Sequence, residues 1–175
     1  KWNNAVLDEI DCQYVREAFE AKKWAFVSDC VRLYALQKFG GIYMDTDVEV
    51  IKPLDEFLHH TAFSGFEDNV TVPTGIMASE KGSMWAKENL EYYNNRHFIK
   101  DDGTYDMTPN TAIITNYMKT KNIKLNNTYQ NFPDLITIYP KDFFCPKSHY
   151  SGEILLTKNS HAIHHFANSW ENKNW

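Results

Sequence analysis

Apolar positions recur at helical spacing from Val15 to Lys23 and again from Ser28 to Phe39. The second stretch predicts a helix with Ser28 as N-cap, Asp29 in its first turn and Gly40-Gly41 as its stop. The period then changes. Ile42, Tyr43 and Met44 form a compact apolar run that ends in Asp45-Thr46-Asp47, after which Val48, Val50 and Ile51 resume around Glu49. This reads as a buried strand, a polar turn and a second strand. Pro53 to Leu58 reads as a turn or two of helix, Ala62 to Phe66 and Ile76 to Ala78 as strands, and Ser83 to Asn94 as a helix. Another helix is predicted over Thr108 to Thr120, with Thr108 as N-cap and Pro109 in the first position, where a missing N–H costs nothing. Lys100 to Tyr105 is a turn, and Ile136 to Tyr139 and Ala162 to Phe166 are β-rich stretches separated by a loop from Phe143 to Glu153. No repeat or Pro/Gly-rich linker divides the chain. Residues 1–175 therefore read as one α/β domain, a layered fold with some antiparallel pairing.

Composition narrows what such a domain can do. A hydrophobic fraction of 43% with 23% charged residues permits a sizeable core and excludes wholesale disorder. The formal charge of -5 and the lack of a basic cluster exclude nucleic acid as partner, since Lys119, Lys121 and Lys124 read as the solvated end of a helix. No window approaches the ~20 apolar residues of a membrane-spanning helix, which leaves peripheral attachment open. Cys12, Cys30 and Cys145 are odd in number and lack C-x-x-C spacing, so neither a disulfide framework nor a thiolate zinc site is indicated and a reducing, cytoplasmic setting is the simplest reading. The chain opens at Lys1 without Met or a signal-like apolar stretch and reads as a processed or trimmed piece.

Candidate chemistry gathers in three places. Asp45 and Asp47 stand one residue apart on a turn at the edge of a core, where desolvated carboxylates want a cation, and an oxygen-rich site with room for waters suits Mg²⁺ or Mn²⁺ bridging to phosphates. Asp29 and Arg32, three apart on one helical face, form either a hydroxyl-binding pair or a plain ion pair near a cap. His164 and His165 are adjacent on a strand and point to opposite faces, so that only one of them can face a given site, as a metal or phosphate ligand or as a hydrogen-bonded core residue.

The segment from Tyr14 to Leu54, with its Ala-Phe-x-Ser-Asp-x-x-Arg helix, Gly-Gly-x-Tyr strand and Asp-x-Asp turn 13 residues beyond Arg32, closely resembles the D-x-D glycosyltransferases of family thirty-two. These relatives include the yeast initiating α-mannosyltransferase and bacterial capsular polysaccharide synthesis proteins. The resemblance continues through Thr74-Gly75, Thr108-Pro109, His164-His165-Phe166 and Ser169-Trp170, and extends more remotely to the glucosylating domain of large clostridial toxins.

That resemblance implies a GT-A-like nucleotide-diphospho-sugar transferase fold, a mixed sheet flanked by helices. It implies transfer of a hexose or N-acetylhexosamine, with retention, from a UDP- or GDP-sugar to a glycan or lipid-linked saccharide acceptor, in the cytoplasm or at the inner membrane face. Carried onto this chain, Asp45 contacts donor ribose and sugar and reaches the metal through water, while Asp47 binds Mn²⁺ (or Mg²⁺) directly. Asp29 and Arg32 hold donor sugar hydroxyls. His165 is the carboxy-terminal ligand of metal or diphosphate, with His164 in its place if the register shifts by one, and Trp170 lies over the leaving diphosphate. The family's opening strand, Ile-Pro-Lys-x-Ile-His-x-x-Trp, is not in this chain, and Pro73 stands where a polar residue such as Asn is expected. Two rival readings accompany this one: an aspartate-based phosphohydrolase, disfavoured by Glu49 and by the two helices before the motif, and a non-catalytic metal-dependent sugar-nucleotide-binding module of the same fold.

Overall fold

The structure, a computed structural model, describes residues 5–167. Three helices open the chain: α1 (Ala5–Ile10), α2 (Gln13–Glu20) and α3 (Trp24–Phe39). In α3 the buried residues Phe26, Asp29, Cys30, Leu33, Tyr34 and Leu36 recur every three to four positions, so one stripe of the helix faces inward. The helix begins five residues earlier than its sequence suggests. Ser28 is not its N-cap but lies within it, its hydroxyl donating to the Ala25 carbonyl at 2.7 Å, while Lys23 occupies the cap. It stops at Gly40, whose φ of 71° and close backbone surroundings, 2.6 Å from a would-be Cβ to Lys81 N, admit only glycine.

Among the described residues the strands form two sheets. In the larger, β1 (Gly41–Met44), β4 (Ile76–Ser79), β3 (Ala62–Gly65), β6 (Ile136–Tyr139) and β5 (Gln130–Phe132) lie in the order β1-β4-β3-β6-β5, antiparallel except for the β3–β6 pair. β2 (Val48–Val50) and β7 (Ala162–His164) make the smaller, antiparallel sheet. Every residue of β3, β4 and β6 is buried, because successive side chains supply two cores. Ala62, Met77, Ile136 and Ile138 pack with α2, α3, α4 (Met84–Glu91) and α5 (Asn110–Thr120); Phe63, Ile76, Ala78 and Tyr139 pack with Phe57, Phe144 and Ala162 on the other face. Each fully buried Ile, Met or Phe among them contributes about 1.5–3 kcal/mol by leaving water. The result is a mixed α/β fold with helices on one face of the main sheet and the β2–β7 pair on the other side.

Three smaller departures from the sequence pattern have local causes. Pro109 serves as the cap of α5 rather than its first residue. The β-rich stretch from Ala162 ends at His164, since Phe166 turns away at φ 53°. Ser83 caps α4, its hydroxyl accepting from Ala86 N at 3.3 Å.

Candidate metal centre

The D-x-D turn joins the end of β1 to β2. Asp45 N donates to the Gly75 carbonyl at 2.9 Å and Val48 N to the Asp45 carbonyl at 3.1 Å, which fixes the turn against the loop before β4. Pairing of β2 with β7 sets Val48 opposite His164. That register brings the imidazole to the carboxylates, with His164 Nε2 at 3.4 Å from Asp47 Oδ1 and 3.9 Å from Asp45 Oδ2. One donor atom from each of Asp45, Asp47 and His164 lies within 4.8 Å of the others.

The free oxygens are aimed, not left to chance. Asp45 Oδ1 accepts from the Tyr43 hydroxyl at 2.7 Å and from Arg32 at 3.2 Å, which leaves Oδ2 toward His164. Asp47 Oδ2 accepts from Ala167 N at 2.8 Å, which leaves Oδ1 toward the same ring. Gly75 forms the floor. A Cβ there would meet Val48 Cγ2 at 2.9 Å, Asp45 Oδ2 at 3.2 Å and His164 Cγ at 3.2 Å, so only glycine lets the three elements close around the group. Two carboxylate oxygens and an imidazole nitrogen could together hold a divalent cation. With bonds of about 2.1 Å, neighbouring ligands of an octahedral ion stand about 3 Å apart, so the pairs at 3.4 and 3.9 Å would draw inward around an ion.

Arg32 links this centre to α3. Its nitrogens bond Asp45 Oδ1 at 3.2 Å, Asp29 Oδ1 at 3.1 Å and the carbonyl and hydroxyl of Ser28, and its guanidinium stacks on the Tyr43 ring at 4.5 Å. Asp29 is buried, which pushes its carboxyl up to about 6 against the pull of Arg32, with Asp45 adding to the rise and the Asn110 backbone N–H opposing it. The structure thus brings Asp29, Arg32 and Asp45 together as one ionic chain, with Asp29 outside the Asp45–Asp47–His164 group.

The structure places the two histidines expected as alternatives at different sites. His165 lies past the end of β7 on the opposite side, its Nε2 at 2.8 Å from the exposed Glu49, and His164 occupies the place against Asp45 and Asp47. Trp170 and Ser169 lie outside the described residues. The structure adds Glu67, which the sequence pattern did not single out as a site residue, with Oε2 3.7 Å from His164 Nδ1. It also adds Tyr43 and Gly75. Burial would lower the pKa of His164, but Glu67, Asp47 and Asp45 outweigh burial and raise it.

Residues 3–64 match the family model described as glycosyltransferase sugar-binding region containing DXD motif. The matched stretch holds the D-x-D turn and makes up about a third of the chain. Glucan organizing enzyme 1 of Cryptococcus neoformans var. grubii serotype A is 41% identical over 46 residues, covering 26% of this chain and 13% of that protein. Uncharacterized protein At4g19900 of Arabidopsis thaliana is 32% identical over 119 residues, covering 65% of this chain and 18% of that protein. The matches thus span less than a fifth of either relative. No solved structure matches the chain. The mixed sheet flanked by helices agrees with the GT-A-like fold of such transferases. Among the described residues no helix is long and apolar enough to cross a membrane.

Proposed function

We propose that residues 1–175 form a single catalytic domain of a metal-dependent, retaining glycosyltransferase. Its reaction is transfer of a hexose or N-acetylhexosamine from a UDP- or GDP-sugar to a glycan or lipid-linked saccharide, as in capsular polysaccharide biosynthesis. The observation that carries this reading is the convergence of His164 of β7 on Asp45 and Asp47, which lie at the end of β1 within the stretch matched by the D-x-D sugar-binding family model. The three free thiols, Cys12, Cys30 and Cys145, suit a reducing cytoplasm, where a lipid-linked acceptor would be met at the inner membrane face.

Bound Mn²⁺ or Mg²⁺ would neutralise the charge that grows on the departing diphosphate, which stabilises the transition state more than the ground state. Asp47 Oδ1 and His164 Nε2 would hold the ion, and Asp45 Oδ2 would reach it directly or through water. Arg32 and Tyr43 fix the Asp45 carboxylate, so the donor set is in place before the ion arrives. Asp29 would take a donor sugar hydroxyl. Arg32 holds Ser28, Asp29 and Asp45 with four of its five N–H groups and keeps one for that contact; the alternative reading is a non-catalytic module that binds metal and sugar nucleotide.

The deciding experiment is Mn²⁺-dependent release of nucleoside diphosphate from a panel of UDP- and GDP-sugars, with Asp47→Ala beside the unaltered chain. Release from one donor, lost in the variant, is expected. Tight metal-dependent binding of the donor without release, in the presence of acceptor glycans, would establish the binding module instead.

A further inference from the structure

His164 is buried, at 8% exposure, and its Nδ1 has no hydrogen-bond partner among the described residues. A buried ring nitrogen without a partner is costly, and the acceptor standing next to it is Glu67 Oε2 at 3.7 Å. The ring therefore sits between carboxylates, with Asp45 and Asp47 facing Nε2 and Glu67 facing Nδ1. Glu67 is well placed to stay there. It follows the last residues of β3, where the buried Phe66 donates its N–H to the Tyr139 carbonyl at 2.9 Å. Its own N–H bonds the Thr71 carbonyl at 2.9 Å, and Asp68 closes that loop by accepting from Val70 N and Thr71 N, both at 2.7 Å. A carboxylate on such a braced turn, with a side chain 24% exposed, is not one of the solvated acids of the surface.

We infer that Glu67 is the positioning residue of the metal centre: it accepts the Nδ1 proton of His164 and so directs the Nε2 lone pair at the space between Asp45 and Asp47. An imidazole offers a lone pair from only one nitrogen while the other carries the proton, so the partner of Nδ1 decides whether Nε2 can ligate. A carboxylate behind a ligating imidazole also raises its basicity, and loss of such a partner weakens metal affinity about 10- to 100-fold. The inference rests on the reading of Asp45, Asp47 and His164 as a cation site. Glu67 touches neither the ion nor the donor in it and acts through His164.

The test is a Mn²⁺ titration of the full 175-residue chain, with free ion read by electron paramagnetic resonance, for the unaltered protein and for D47A, E67A, E67Q, H164A and the H164A/E67A pair. The apo-protein's thermal unfolding is measured alongside. The unaltered protein is expected to bind and D47A to lose binding. E67A should bind about 10- to 100-fold more weakly, E67Q should fall between it and the unaltered protein, and H164A/E67A should be no weaker than H164A alone. E67Q keeps the shape of the side chain and serves if E67A fails to fold. Affinity in E67Q and E67A equal to the unaltered protein's, or full additivity in the double variant, would overturn the role of Glu67 while leaving the cation site intact. No binding by the unaltered protein would instead remove the cation site itself, and Glu67's role with it.

Discussion

Glu17 on α2 and the carboxylates of the D-x-D turn illustrate opposite ways to bury acid. Glu17 accepts from Gln13 Nε2 at 3.0 Å, His97 Nδ1 at 2.7 Å, Phe98 N at 2.8 Å and Ile99 N at 3.0 Å, so that every lone-pair direction has a donor. Burial pushes its pKa up, yet those donors prevail and hold it at about 2. Around His164 the accounting is left open. Among the described residues Asp45 and Asp47 each have one oxygen tied down and one without a hydrogen-bond donor, and His164 Nδ1 has no hydrogen-bond partner. A fully satisfied polar cluster fixes a fold, whereas a half-satisfied one costs stability unless something else completes it. The first cluster clamps the segment at Phe98–Ile99 onto α2; the second is what the fold offers to a ligand.

The sharpest way to separate the two is Asp47→Ala. The metal-dependent contribution to the transition state is worth several kcal/mol, so nucleoside diphosphate release should fall by at least about 100-fold. Unfolding in urea should shift by no more than about 1 kcal/mol, since the hydrogen bond that Asp47 accepts from Ala167 N is an exposed one.

Glu17→Ala should do the reverse. It leaves two backbone N–H groups, those of Phe98 and Ile99, without their acceptor, and should destabilise the chain by about 2–4 kcal/mol with turnover per folded molecule unchanged. The sign with pH follows from the depressed pKa. Stability supplied by Glu17 is complete above the ordinary glutamate value of 4.5 and is lost as pH falls toward about 2. Urea midpoints between pH 5 and 3 should therefore decline less steeply in Glu17→Gln than in the unaltered chain.

A methyl group at Gly75 tests whether the floor of the site belongs to both fold and function. Crowding against Val48, Asp45 and His164 should cost about 1–3 kcal/mol of stability and also weaken Mn²⁺ binding. The smallest effect should come from His165→Ala. Its pair with Glu49 is largely exposed and worth about 0–1 kcal/mol, and turnover should stay within about 2-fold, against a loss of at least about 10-fold for His164→Ala. Equal losses at the two histidines would erase the distinction drawn from the β2–β7 register.

How much of this could be read from the chain follows the range of each interaction. The D-x-D turn between two apolar runs was legible because strand, turn and strand are adjacent in sequence and alternate in character. The start of α3 was not. Ser28 has the look of a cap, but packing of Phe26 against the core carries the helix back to Trp24 and turns the serine hydroxyl onto Ala25. The choice between His164 and His165 hung on a pairing 116 positions away in the chain, Val48 with His164, which no local pattern encodes. Glu67 carried no spacing signal at all, since it reaches His164 from the end of a different strand. The polar edge strand β5, Gln-Asn-Phe, has no alternation to betray it and exists through its ladder with β6.

The central claim, that Asp45, Asp47 and His164 hold one divalent cation, is tested most directly by crystals grown with Mn²⁺ and measured at the manganese absorption edge. The account predicts one anomalous peak about 2.1–2.3 Å from Asp47 Oδ1 and His164 Nε2, with Glu67 against the far nitrogen of the ring. A peak between Glu49 and His165, or no peak at the D-x-D turn at saturating Mn²⁺, would contradict it.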